Sequence, residues 1–155
     1  MKPLLIVAAL GLTACFVVGP GGPTSGGSPV GGGPPVVVGS GPYFTLVLDQ
    51  VDLDPSFGSG YPPAIYVTVL VGGQTASSAE LDGSFDPVWN DPLMAADQAS
   101  FEDGVDVQVW ADDGSGPALA GEVSWAPSPD EFGAPSIDLG AFDYIQDAVF
   151  ELQPQ

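Results

Sequence analysis

The chain has 155 residues, of which 20 are Asp or Glu, one is Lys or Arg and none is His, for a net charge of −19. The one basic side chain is Lys2, and every acidic residue lies between Asp49 and Glu151. Nucleic-acid binding and direct docking on anionic lipid heads both need cations, so both are excluded, and so are a His or Lys general base, a Schiff-base amine and a phosphate clamp. What remains is carboxylates, hydroxyls, aromatic surfaces and divalent cations. Crowded carboxylates are expected to have raised pKa values in the fold, so that stability rises as pH falls.

Residues 1–14 read as an export signal. Lys2 is a short positive start, and Leu4 to Leu12 is an apolar run far shorter than the roughly 20 residues that span a bilayer. Leu12-Thr13-Ala14-Cys15 resembles the bacterial lipobox. That resemblance implies cleavage before Cys15, diacylglycerol on its sulfur and acylation of the new amino end. More than one acyl chain satisfies the requirement for stable anchoring. An ordinary signal peptide is the alternative. Cys15 is the only cysteine, so no disulfide can form within the chain. Phe16 stands where an Asp commonly signals inner-membrane retention, which favours the outer membrane in a Gram-negative envelope.

Residues 15–42 are expected to form a tether. Gly19 to Pro42 holds ten Gly, six Pro and no charge, a composition that cannot bury enough apolar surface to offset its ordering entropy. Its reach is roughly 25–30 Å as a flexible coil. Val36-Val37-Val38 is the one part that reads as an extra edge strand.

From Tyr43 the pattern changes. Tyr43 to Leu48 reads as a strand, followed by a turn-rich stretch from Asp52 to Pro63. Ala64 to Val71 is a second strand, Thr75 to Leu81 a weaker third, and Leu93-Met94 the start of a fourth. Phe85-Asp86-Pro87-Val88-Trp89-Asn90 is a turn that hands over to a strand. Val105 to Trp110 alternates apolar and polar residues at period two and is the fifth. Ala118 to Trp125 is a sixth, and Ser136 to Leu139 and Ala148 to Leu152 complete the set. Asp143 to Asp147 reads as one helical turn. Short strands at turn-punctuated spacing, with almost no helix signal, predict an all-β fold: an antiparallel β-sandwich over residues 43–155.

The order of these segments resembles a C2 domain, an eight-stranded sandwich best known for calcium-dependent phospholipid binding. Asp86-Pro87-Val88-Trp89-Asn90 is similar to the family's Asn-Pro-Val-Trp-Asn and is the most specific element. Phe44 to Leu53 resembles the opening strand, and Tyr66 to Val69 the strand after the family's Asp-Pro-Tyr-Val. Val107 to Trp110, the acidic residues after it and Gly121-Glu122-Val123 resemble the strand, calcium loop and strand that follow. An immunoglobulin-like or fibronectin-like sandwich is the competing fold.

The resemblance implies calcium as a ligand, held by loop aspartates at one end of the sandwich. Here the match degrades. The family's aspartates fall near Gly58, on Ala64, on Ala111 and near Ala118, and only Asp113 is in register, with Asp112 a shifted substitute. The candidate ligands are Asp52, Asp54, Asp86, Asp112 and Asp113, with Asp82 and Asp91 expected at the same end. Calcium needs six to eight oxygens, so a degenerate site and merely solvated carboxylates both stay open.

Trp89 reads as a packing anchor; Trp110 and Trp125 end strands and are expected to pack in the ordinary way, with half-exposed contact to a membrane or a sugar as the lesser alternative. Phe57 and Tyr61, in the Gly-rich first loop, are candidate exposed contacts. No nucleophile elbow or phosphate-cradling Gly motif is present, so no enzymatic activity is expected. The sequence therefore predicts a lipid-anchored binding module of the cell envelope, meeting a protein, glycan or cation-bridged surface through its loop end. The alternative is a structural lipoprotein that contributes charge and spacing without a dedicated ligand.

Overall fold

The computed structural model describes residues 41–155. The export signal, Cys15, the Gly/Pro tether and Val36 to Val38 lie outside the described residues.

Two four-stranded antiparallel sheets face each other. The first runs β4 (Val88–Asp97), β1 (Tyr43–Leu53), β8 (Ile145–Pro154), β7 (Ile137–Asp138). The second runs β3 (Gln74–Ser77), β2 (Ala64–Val71), β5 (Val105–Asp112), β6 (Pro117–Trp125). Period-two alternation makes this possible. In β2 the odd-numbered Ile65, Val67, Val69 and Val71 are buried, and in β5 Val105, Val107, Val109 and Ala111 are. They meet Leu46, Leu48, Val51 and Leu53 of β1 and Ala148, Phe150 and Leu152 of β8 in one apolar core. No polar or charged residue is buried among the described residues, as a chain without cations to pair its carboxylates requires.

The strand directions set the ends. β1, β3, β5 and β7 run toward one end, so the loops at 54–63, 78–87, 113–116 and 139–144 gather there.

Several elements differ from expectation. The third strand stops at Ser77, and beyond it Leu81 makes only an isolated bridge to Ile65. The fourth is longer than Leu93-Met94 suggests and carries Pro92 in mid-strand, which is tolerated because β4 is a sheet edge. Asp143 to Asp147 forms no helical turn: Asp143 takes φ 49°, and Ile145 already begins β8. The short helix α1 (Gln98–Glu102) lies elsewhere, started by Asp97, whose carboxylate accepts from the Ser100 N–H at 2.9 Å, and it buries Phe101 completely.

Candidate loop-end site and outer sheet face

The gathered loops enclose an open cleft of about 420 Å³, lined among others by Tyr61, Pro62, Glu80, Asp82, Asp112 and Asp113. Backbone chemistry decides where its carboxylates point. Asp112 closes its own loop by accepting from the Gly114 and Gly116 N–H groups at 2.7 and 3.0 Å. Asp113 accepts from the Ser115 hydroxyl at 2.7 Å and its N–H at 3.2 Å, which holds its carboxyl below the usual range. Asp54 accepts from the Ser56 N–H at 2.7 Å and is lowered for the same reason. Asp86 is bonded by the Ser84 hydroxyl. Asp52 stands on β1 opposite Asp147 of β8. Asp91 pairs with Leu48 inside β4 rather than entering a loop.

Topology thus brings Asp54, Asp82, Asp86, Asp112 and Asp113 to one end, but among the described residues no three acidic groups are placed to hold one metal ion. Short polar side chains satisfy neighbouring N–H groups before they can converge on a common centre. Loops one and three do adjoin: a Cβ at Gly58 would lie 3.5 Å from Asp113 Oδ2. Gly58 therefore leaves a gap where the resembled pattern has a ligand. The residues present do not fit a preformed calcium site.

A second acidic group was not anticipated. Asp138 of β7 and Asp147 of β8 form a carboxyl pair. The hydrogen bond to Asp138, burial and the charges of Asp138 and Asp52 raise Asp147, while the same bond and the Gly140 N–H lower Asp138. Asp147 Oδ1 is buried and meets no donor. Asp49 is raised too, by burial and by Glu151, whereas Ser128 lowers Asp130. The expectation that crowding raises carboxylates generally is thus corrected: hydrogen bonds outweigh desolvation at Asp54, Asp113, Asp130 and Asp138.

The aromatics divide differently from expectation as well. Tyr61 is 77% exposed on the cleft rim. Phe57 is not a free contact: it packs against the core and edge-on to Tyr144, centroids 5.2 Å apart. A Gly-rich loop can fold one aromatic inward while leaving the other out. Trp89 packs against the core and donates its Nε1–H to the Ala79 carbonyl at 2.8 Å, fastening β4 to the loop after β3. Trp125 leans on Phe150. Trp110 sits within β5, not at its end, and lies parallel to Tyr66 of β2, with centroids 6.3 Å apart and planes within 7°.

That pair stands on the solvent side of the second sheet. Its neighbours across the strands fall in rows: Ala64 with Asp112 at the cleft, then Tyr66 with Trp110 and Leu119, then Thr68 with Gln108 and Glu122, then Leu70 with Asp106 and Ser124. A smaller groove of about 230 Å³ follows the ring pair, lined by Thr68, Leu70, Thr75, Asp106, Gln108 and Glu122. Gln108 Nε2 donates to Glu122 Oε1 at 3.2 Å, the Ser124 hydroxyl donates to Asp106 at 2.6 Å, and the Thr68 and Ser77 hydroxyls lie 3.0 Å apart. The alternation predicted that even-numbered side chains of β5 face outward; the rows depend on strand order, which no single strand reveals.

No family model and no curated protein matches the chain. Solved structures do. A structure described as a C2 domain superposes with TM-score 0.54 at 17% identity, covering 72% of this chain and 98% of its own. The fold is that of a C2 domain. A C2 domain of plant extended synaptotagmin 1 superposes with TM-score 0.51 at 12% identity, covering 74% and 95%. Human GIVD cytosolic phospholipase A2 also contains such a region: TM-score 0.55, 12% identity, 74% of this chain but 17% of that one. At these identities the likeness is one of fold. Within this C2-type sandwich the loop end is acidic, but among the described residues its carboxylates do not converge as a ligand set.

Proposed function

We propose that this protein is a non-catalytic binding module of the cell envelope. A lipid on Cys15 anchors it in the membrane, the outer membrane where there are two. Residues 15–42 act as the spacer, and the C2-type domain at residues 43–155 presents its loop-end cleft and adjoining sheet face to an envelope protein or glycan. The observation that carries the reading is the continuity of the two surfaces: Ala64 and Asp112 line the cleft and belong to the same outward face as Tyr66 and Trp110. A charge-and-spacing coat has no use for a built concavity running onto paired aromatics. Divalent cations are held weakly, because Asp54, Asp112 and Asp113 are each engaged in their own loops.

Catalysis is not part of the proposal. Asp138 and Asp147 have oppositely shifted carboxyls, but they lie against one another on neighbouring strands, whereas carboxylates that hydrolyse glycosides stand roughly 5–10 Å apart across their substrate.

Two measurements test the reading. Cells fed an alkyne fatty acid should label the protein and carry it in the membrane fraction, and Cys15→Ala should lose both; a membrane-bound Cys15→Ala protein would refute the anchor. Thermal unfolding with calcium, magnesium or chelator at matched ionic strength should show equal, small rises for the two cations, as expected for screening of acidic loops. A calcium-specific, saturable rise would instead mean a real ion site. Absence of any ligand for the cleft and sheet face would leave the structural-coat reading.

A further inference from the structure

We propose that the outer face of the β3-β2-β5-β6 sheet is a binding site for an uncharged polysaccharide strand. The inference rests on the reading of the chain as a binding module and names the ligand of that surface.

Three features point to one occupant. The first is shape. Four rows of outward side chains succeed one another along β2 and β5, at about 7 Å per row from the strand rise. They form a track about 20 Å long, enough for several sugar units in an extended chain. It begins in the loop-end cleft, crosses the ring pair and ends in the groove beside Thr75. The second is the pair itself. Tyr66 and Trp110 are parallel and half-buried, with Leu119 beside them and 42% exposed. Aromatic faces carry partial negative charge and attract the C–H groups of a pyranose ring. The third is the polar complement. Thr68, Thr75, Asp106, Gln108 and Glu122 line the groove. Carboxylates accept from sugar hydroxyls, and an amide and hydroxyls both accept and donate, a set suited to a ligand made of hydroxyls.

Charge excludes the alternatives. Between Asp49 and Gln155 there is no Lys, Arg or His, so uronate, sulfate or phosphate groups would meet only like charge. Anionic lipid fails for the same reason. A protein partner is disfavoured because a docking patch needs a contiguous apolar centre. Here the apolar centre is a single row, Tyr66, Trp110 and Leu119, bordered on one side by Asp112 and on the other by polar Thr68, Gln108 and Glu122, a small patch for a protein interface core.

The test is affinity electrophoresis of the purified full chain in gels cast with neutral polysaccharides (xylan, a mixed-linkage β-glucan, hydroxyethyl cellulose, glycol chitin, starch). Polygalacturonate and heparin serve as anionic controls, and calorimetry with the matching hexasaccharide follows. The expected result is retardation by at least one neutral polymer and by neither anionic one. Trp110→Ala should weaken the calorimetric affinity at least tenfold, and Glu122→Gln or Gln108→Ala several-fold. Glu122→Gln and Gln108→Ala touch only the solvent side of the sheet, so they keep the test valid if Trp110→Ala does not fold. Failure of every neutral polymer to bind would overturn the proposal. So would equal retention by anionic polymers, unchanged binding by the folded groove variants, or a basic protein binding the face through the same residues. If Cys15 labelling and membrane partition persist while no glycan binds, only this inference falls; if labelling fails while glycan binding holds, only the anchor does.

Discussion

Gly121 offers a direct test of how the last loop is held against the second sheet. A Cβ added there would lie 2.7 Å from Ile145 Cγ1 and 3.0 Å from the Phe142 ring. Ile145 is only 1% exposed and Phe142 packs against the core, so neither can swing into solvent. Gly121 faces Val109 next to the irregularity that lets β6 shift register. The same junction holds the Tyr144 N–H bond to the Ala120 carbonyl and the Glu122 N–H bond to Asp143. Overpacking of this kind costs about 1–3 kcal/mol, and loss of glycine's unfolded-state freedom returns about 0.4–1 kcal/mol. Gly121→Ala should therefore destabilise by about 1–2 kcal/mol, lowering Tm by roughly 4–10 °C for a domain of this size. Denaturant unfolding of Gly121→Ala, Ile145→Ala and the double variant reads the coupling. Ile145→Ala alone should cost about 2–5 kcal/mol, and in its background the alanine at 121 should cost distinctly less, with only the Phe142 contact left to relieve. A Gly121→Ala protein as stable as the parent, or a penalty unchanged when Ile145 is truncated, would refute the reasoning.

Other expectations follow the same logic. Asp147 is raised, so it favours the fold below the ordinary carboxylate pKa, and that contribution is lost as pH rises through the folded value. Asp138, Asp54 and Asp113 are lowered, so theirs is present above the ordinary value and lost as pH falls through the folded one. Asp147→Asn removes that titration while its amide can still donate to Asp138: the variant should melt higher than the parent at neutral pH, with the gap closing in acid, and a lower midpoint at pH 7 would contradict the assignment. Trp89→Phe removes the donor to Ala79 while keeping a ring, and should cost about 0.5–1.5 kcal/mol in denaturant unfolding. Asp97→Ala removes the α1 cap and should cost about 1 kcal/mol, whereas Asp97→Asn should be nearly neutral.

Residue order alone was enough for the apolar alternation of β2 and β5 and for the C2-like order of segments. These are legible because period-two burial and the succession of strand and turn residues are local facts. It fell short where local chemistry competes with long-range packing. Asp112 and Asp113 stayed open between calcium ligands and solvated carboxylates, because no sequence pattern shows that their nearest donors are their own loop N–H groups. Phe57 reads as exposed, but Tyr144, 87 positions later, covers it. The Asp138–Asp147 pair and the Tyr66–Trp110 rings join residues from different strands. Which of them become neighbours is set by the order of strands in the two sheets, because the pairing that builds a face spans distances no sequence window contains.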